Sequence, residues 1–183
     1  MSQPRQLELT LPSSEALRFI GLLQQGVTLP ASTGCSVWSF LVDQIGIAPE
    51  YVQERISTIF LDGDVVDSLE RAVVRDGSVL ALSAAMPGVA GATLRKGGFY
   101  SAMRSTITHN ADASAAASGA AGAGTVRVKL FNLLIPELGP VFLARGVVLE
   151  PGEATGLLPR ADAAEALPGP VLLRVRFAEP SAP

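Results

Sequence analysis

The sequence contains very few of the residues that build disulfides and metal centres. Its 183 residues include one cysteine and one histidine. A single cysteine, Cys35, excludes an internal disulfide and a cysteine-based zinc site, and a single histidine, His109, excludes a multi-histidine metal centre. We therefore expect no metal site and no cofactor.

Long apolar runs and an excess of basic residues are missing as well. No apolar run reaches the roughly 18 residues that a membrane helix needs, and the opening stretch, MSQPRQLELTLP, lacks the charged and apolar regions of a signal peptide. Lysine and arginine number 14 against 17 aspartates and glutamates, a net charge of −3, whereas broad nucleic-acid binding needs a basic face. These features predict a cytoplasmic protein that binds neither membranes nor nucleic acid.

The chain does contain enough apolar material for a core. Hydrophobic residues make up 48% of it, and its length allows one medium domain or two small ones. Residues 110–124, NADASAAASGAAGAG, are rich in alanine, glycine and serine without any periodicity, as flexible linkers are. The linker divides the chain into two predicted domains, 1–109 and 125–183.

The first predicted domain combines alternating strand patterns with one strong helix pattern. Its predicted strands span residues 5–11, 27–31, 57–63, 64–68 and 76–86. Residues 32–47 give the best helix, with Ser32 or Thr33 as its cap. Its buried stripe comprises Val37, Trp38, Leu41, Val42 and Ile45. Residues 13–26 fit a short helix or a looped connection, and a second short helix is predicted over 48–56. A helix packed over a mixed sheet is an α+β fold.

The only cysteine falls in the first turn of the predicted helix. Helix N-termini lower the pKa of a thiol, which would permit a reactive thiolate at Cys35. With no second cysteine and no histidine nearby in sequence, we favour a partly buried, unreactive thiol. Because no Ser-His-Asp arrangement can be placed around His109 from sequence either, we predict that the protein is not an enzyme.

The second predicted domain is a small β-rich unit. Residues 125–133, 147–152 and 168–177 have strand patterns, and the last of these carries Arg174 and Arg176 on one face. The segment 135–146 is apolar but interrupted by proline and glycine, so that both a short helix and a hairpin fit it. A unit of this size is near the lower limit for folding alone, and we expect it to pack on the first domain or on a partner.

Residues 57–91, STIFLDGDVVDSLERAVVRDGSVLALSAAMPGVAG, resemble the β-grasp sulfur carriers, which include the small subunit of molybdopterin synthase and the thiamin-pathway sulfur carrier. FLDGDVV is similar to a strand and polar turn of that family, and VVRDGSVLALSAAMPGVAG to its last strand and tail. The helix pattern TGCSVWSFLVDQIG stands where the family has its first helix, so the resemblance covers roughly residues 5–91. It implies a β-grasp (ubiquitin-like) fold. It also implies a terminal glycine that a partner adenylates and that becomes a thiocarboxylate.

The diglycine of this chain, Gly97-Gly98, is internal. The family-like PGVAG is followed by Ala92, and the true diglycine lies further on in LRKGGFYSAMR. Carrier chemistry needs a free carboxylate, so it would require cleavage after Gly98. A second interpretation is a docking segment: glycine permits close backbone approach, and arginine and aromatic side chains are typical interface anchors. Its residues would be Arg95, Lys96, Gly97, Gly98, Phe99, Tyr100 and Arg104. A third is a plain turn between two elements.

Two functions follow from these observations. The first is a non-catalytic β-grasp adaptor that docks a larger enzyme, by family analogy in molybdenum or tungsten cofactor or sulfur metabolism. The alternative is a sulfur carrier released by proteolysis after Gly98, with an activating adenylyltransferase as its partner. Self-association is a further expectation. We predict that the diglycine acts in place, as a bend that presents Phe99, Tyr100 and Arg104 to a protein partner.

Overall fold

The structure is a computed structural model that describes residues 4–84, 88–98, 122–157 and 169–178. Most of the predicted linker lies outside these ranges, as does His109. The last three linker residues, 122–124, are described and belong to a strand.

The described residues form ten strands and six α-helices. The strands are β1 (Arg5–Pro12), β2 (Val27–Thr33), β3 (Cys35–Ser36), β4 (Thr58–Leu61), β5 (Asp64–Val65), β6 (Val73–Val74), β7 (Val79–Ser83), β8 (Gly122–Phe131), β9 (Val147–Leu149) and β10 (Val171–Ala178). The helices are α1 (Ile20–Gln25), α2 (Val37–Ser39), α3 (Pro49–Glu54), α4 (Gly88–Leu94), α5 (Leu134–Arg145) and α6 (Pro151–Leu157). A 3-10 helix, Ser13–Phe19, precedes α1, and a π-helical segment, Phe40–Ile45, continues α2. Within the described ranges, no helix has the length and apolar character needed to cross a membrane.

Eight strands form one mixed sheet in the order β1-β10-β9-β2-β8-β7-β4-β5, and β3 pairs separately with β6. The pairs β1–β10 and β7–β8 are parallel, and the others are antiparallel. The α+β class with a mixed sheet is therefore confirmed. Strands from the two halves of the chain are interleaved in this sheet. β10 and β9 lie between β1 and β2, and β8 lies between β2 and β7. Residues of the C-terminal part thus pack on the first part, as expected from their small number.

One face of the sheet carries the core. On β8 the side chains of Val126, Val128 and Leu130 are fully buried, as their alternation predicts, and they face the apolar sides of α1 and α5. The residues between them, Arg127 and Lys129, are half-buried and point to the opposite side. We call this opposite side the polar face.

Two interlocked strand–helix–strand units build the centre of the sheet. The units β1-α1-β2 and β8-α5-β9 each join two strands that run in the same direction. Each helix ends at a glycine with nearly the same backbone angle, φ 111° at Gly26 and 110° at Gly146. The two second strands, β2 and β9, are antiparallel neighbours that meet at Thr28 and Val148. The chain thus repeats one strand–helix–strand unit, although two strands separate β1 from β2 in the sheet and only one separates β8 from β9.

The helix predicted over residues 32–47 begins later than predicted. Ser32 and Thr33, its predicted caps, lie in β2, where they pair with β8. The helix starts at Val37, and the cap is Ser36, whose Oγ accepts a hydrogen bond from a backbone N–H three residues on, at 3.1 Å. Tertiary strand pairing has outweighed local capping preference here.

The ambiguous segment 135–146 is a helix. This helix is α5. It continues through Pro140 and ends at Arg145, before Gly146. A Cβ atom on Gly139 would lie 2.6 Å from Cδ1 of Leu23, so glycine at this position allows α5 to pack closely against α1.

An ion-pair cluster joins α3 to α5. The Glu137 carboxylate accepts hydrogen bonds from both Nε and Nη2 of Arg55, the former at 3.0 Å, and from the Tyr51 hydroxyl at 2.5 Å. These hydrogen bonds, first from Arg55 and then from Tyr51, lower the pKa of Glu137 to about 2. The same contact and the burial of the phenol raise the pKa of Tyr51. The cluster links the two halves of the chain through side chains.

The glycine that ends α1 gives a test of this packing. Gly26 has φ 111°, and a Cβ there would lie 2.8 Å from Nε of Arg127. We expect Gly26→Ala to lower the free energy of unfolding by about 1–3 kcal/mol. Gly21→Ala, within α1 and with no neighbour inside 4 Å, should leave it unchanged or raise it by up to about 1 kcal/mol. Urea unfolding measures both, and equal effects would contradict the proposed backbone requirement at Gly26.

The cluster around Glu137 predicts a pH dependence. Because the pKa of Glu137 is lower in the folded chain, its stabilisation is complete above its unfolded pKa of about 4.3. It is lost as the pH falls towards the folded pKa of about 2. Wild type should therefore lose more stability between pH 7 and pH 3 than Glu137→Gln does, as measured by urea unfolding. Glu54→Gln, an exposed residue of α3, is the control and should behave like wild type. Identical pH profiles for Glu137→Gln and wild type would refute the prediction.

Candidate functional site

The internal diglycine forms a turn directly after α4. Gly97 has φ 59°, in the left-handed region that glycine adopts readily. The N–H of Gly98 donates to the carbonyl of Arg95 at 3.1 Å, which closes the turn. The diglycine therefore lies in a hydrogen-bonded turn.

Three hydrogen bonds hold this turn on the body of the protein. The backbone N–H of Lys96 donates to the carbonyl of Ser57 at 2.9 Å, and its ammonium donates to the carbonyl of Val52. The N–H of Gly97 donates to Oδ1 of Asp67 at 3.0 Å. These acceptors lie in α3, just before β4 and after β5, so the turn has a fixed position beside the sheet.

The structure separates the predicted basic residues of the segment. Lys96 is half-buried, and burial lowers the pKa of its ammonium, while the negative charge of Glu70 acts in the opposite direction. Its hydrogen bond to Val52 makes it an anchor of the turn. Arg95, one residue earlier, is exposed. Phe99, Tyr100 and Arg104 lie outside the described residues, so the docking role assigned to them stays a prediction.

The prediction that Cys35 lies in the first turn of a helix is wrong. Cys35 lies in β3, where it pairs with Val74 ahead of the helix. Its Sγ donates to the carbonyl of Ser32 at 3.3 Å and accepts from Nε2 of Gln44 at 3.1 Å. Burial is the main cause that raises the pKa of this thiol, against smaller lowering effects of a backbone hydrogen bond at Cys35 and of the hydrogen bond from Gln44. The result is the half-buried, protonated thiol that we favoured.

A shallow cavity opens on the polar face, over β4, β7 and β8. Its volume is about 290 Å³, and it is lined by Phe60, Ala81, Ser83, Phe131 and Asn132. At one end of the cavity, Nδ2 of Asn132 donates a hydrogen bond to Oγ of Ser83 at 3.0 Å, so these two polar groups are paired with each other. The remaining lining is apolar, and Phe131 is 38% exposed. A ring or aliphatic side chain fits such a cavity better than a charged group does.

Basic side chains accompany this cavity on the polar face. Arg127 and Lys129 lie on β8, and Arg174 and Arg176 lie on β10, on one face as predicted. The alternating patterns TVRVKLF and VLLRVRF indicate these faces. The sequence does not show that the two strands share one sheet or that Phe60 and Phe131 line one cavity, because both depend on long-range pairing.

Comparison of this chain with protein-family models, with curated proteins and with solved structures finds no match. Among the residues that the structure describes, no group of three or more histidine, cysteine, aspartate or glutamate side chains is arranged to hold a metal ion.

The anchoring of the diglycine turn predicts slow amide exchange. The N–H groups of Lys96 and Gly97 should exchange with solvent more slowly than those of an unstructured peptide, as measured by hydrogen exchange with NMR detection. Asp67→Ala removes a charged acceptor, so the exchange of Gly97 should rise about tenfold, the equivalent of about 1.4 kcal/mol. Asp64→Ala, at an exposed position of β5, should leave it unchanged. Rapid exchange of Gly97 in wild type would show that the turn is not held.

Proposed function

We propose that this protein is a non-catalytic adaptor that docks a larger enzyme through its diglycine turn and the residues that follow it. The observation that carries the proposal is the position of β8. The chain after Gly98 supplies this strand to the middle of the sheet, between β2 and β7. The diglycine is thus a turn inside one folded unit, held at a fixed point by its hydrogen bonds.

A β-grasp fold is the finer assignment that we propose for part of the sheet. The neighbouring strands β2-β8-β7-β4-β5 include one parallel pair at their centre, β8 with β7. A β-grasp sheet likewise pairs its first and last strands in parallel, under a helix, and α2 with its π-helical extension supplies the buried Phe40 and Leu41 here. The first strand would then come from residues 122–131, outside the stretch 5–91 that carries the family resemblance.

The sulfur-carrier alternative places two demands on this geometry. Its terminal carboxylate exists only after cleavage behind Gly98, and the tail must then extend into a partner's active site. In the folded chain the tail is bound to Asp67 and Ser57 instead. Cleavage would also leave β8 paired on both sides, so that the C-terminal fragment stays in the sheet. The uncut adaptor needs neither step. Molybdenum, tungsten or sulfur metabolism as the pathway rests on the resemblance alone.

Capture of the partner from the native host tests the adaptor. The full-length chain carrying Phe99→Ala and Tyr100→Ala should recover its stoichiometric partner at least about tenfold less well, because loss of a hot-spot aromatic costs about 2 kcal/mol or more. The control replaces two exposed apolar residues of the helical layer, Leu17→Ala and Leu133→Ala, which are 73% and 55% exposed. The control should recover the partner as wild type does.

The same preparation distinguishes the two functions. Gly98→Ala should have a modest effect on an adaptor, since the added Cβ would meet the carbonyl of Arg95 at 3.0 Å without a positive φ. It should abolish the activity of a carrier. Intact-mass analysis should show only the uncut chain. A species that ends at Gly98 and bears a thiocarboxylate, or the absence of any partner, would overturn the adaptor.

A further inference from the structure

The polar face carries positive charge that the rest of the chain does not balance locally. Among the described residues, Lys129 and Arg176 have no ion-pair partner, and Arg174 contacts only Glu8, at 3.4 Å. The stem of Arg127 lies over Gly26, and its Nη2 donates to the carbonyl of Gln25 at 3.2 Å. In a chain of net charge −3, this concentration of cations on one face selects an anionic ligand.

The strand register arranges these cations as a diagonal stripe. Arg127, Thr28, Val148 and Leu172 are successive cross-strand neighbours from β8 to β10 and form one row. From this row, Lys129 and Phe131 lie in one direction along β8, and the arginines of β10 lie in the other. With strand spacings of about 4.8 Å and a rise of about 3.3 Å per residue, Phe131 and Arg176 lie roughly 30 Å apart and mark the two ends of the stripe. An extended segment of about nine residues has this length.

The apolar cavity lies at one end of the stripe. Phe131 is on the same face of β8 as Lys129, two residues further on, and it forms one side of the cavity opposite Phe60. On this surface a row of cations therefore leads to one apolar cavity. At protein interfaces, charges typically contribute specificity, and a few buried side chains contribute most of the binding energy.

We propose that the polar face binds an extended acidic segment of a partner protein, with one aromatic or large apolar side chain of that segment in the Phe60–Phe131 cavity. The inference rests on the proposed adaptor function in taking the ligand to be a protein, and it adds a second surface to the diglycine turn. Single-stranded nucleic acid is less favoured, since the net charge is negative and the concave cavity is shaped for one side chain rather than for a row of stacked bases.

The probe is a fluorescein-labelled peptide of about nine residues, all glutamate and aspartate except for one phenylalanine near an end, made in both sequence orders. Fluorescence anisotropy with the purified full-length chain measures its binding. We expect one order to bind at least about tenfold more tightly than the same peptide with alanine for phenylalanine. A peptide with lysine for each acidic residue should not bind. Affinity should fall as salt rises from about 50 to 300 mM.

Variants then locate the binding surface. Lys129→Glu with Arg176→Glu should weaken the peptide at least about tenfold, and Phe131→Ala should remove the preference for phenylalanine. The control makes the same change of charge at two exposed positions off the polar face, Arg71→Glu with Arg145→Glu, and should bind as wild type does. Urea unfolding of each variant confirms that it is folded.

Several results would overturn the inference: equal binding of all peptides, equal loss in the control, or tighter binding of a nine-nucleotide oligo(dT) than of the peptide. A dimer of wild type that Lys129→Glu with Arg176→Glu dissociates would assign the face to a second copy instead. The test does not need the native partner, so it separates the two proposals. Peptide binding without any partner from the host would leave this inference standing and remove the adaptor. Partner capture without peptide binding would do the reverse.

Discussion

The insertion of β8 between β2 and β7 is the interaction on which the rest of the structure depends. It joins the two halves of the chain into one sheet, with antiparallel pairing on one side and parallel pairing on the other. Its inward side chains, Val126, Val128 and Leu130, are fully buried. Burial of this kind contributes roughly 1.5–3 kcal/mol for each large side chain, as an upper estimate. The C-terminal half is therefore a structural part of the first half, and any function of residues 95–98 is exercised within that combined unit.

Local pattern predicted the elements well and their partners poorly. Alternation in 5–11 and 125–133 marked strands, and the helix pattern over 13–26 ends where α1 ends, at Gly26. The boundary predicted between the strands 57–63 and 64–68 falls at a turn in which Asp62 and Gly63 both have positive φ. Nothing in a single sequence specifies that β1 pairs with β10 or that β8 pairs with β7, because the pairing energy comes from residues far apart in the chain. The helix predicted over 32–47 begins late for the same reason, since its first residues pair in β2 and β3.

In the candidate site too, the local turn could be predicted from the sequence, whereas its tertiary contacts could not. A glycine pair was a sound predictor of a turn, because φ near +60° at Gly97 is inexpensive for glycine alone. The anchoring of that turn by Val52, Ser57 and Asp67 depends on the tertiary approach of three separate segments. Lys96 illustrates the consequence. From the sequence alone we placed Lys96 among the docking residues. In the structure its ammonium donates to the carbonyl of Val52, a contact that composition does not reveal.

The repeated strand–helix–strand unit connects the fold to the cationic surface. Each helix-ending glycine leaves a space that a long basic side chain fills. Over Gly26 lie the stems of Arg127 and Lys129, and over Gly146 lies the stem of Arg174. Packing of the stems restricts the rotamers of these side chains. A ligand that meets charges already held in place loses less conformational entropy on binding than one that must order free side chains. The glycines that permit the repeat therefore also preorganise the stripe.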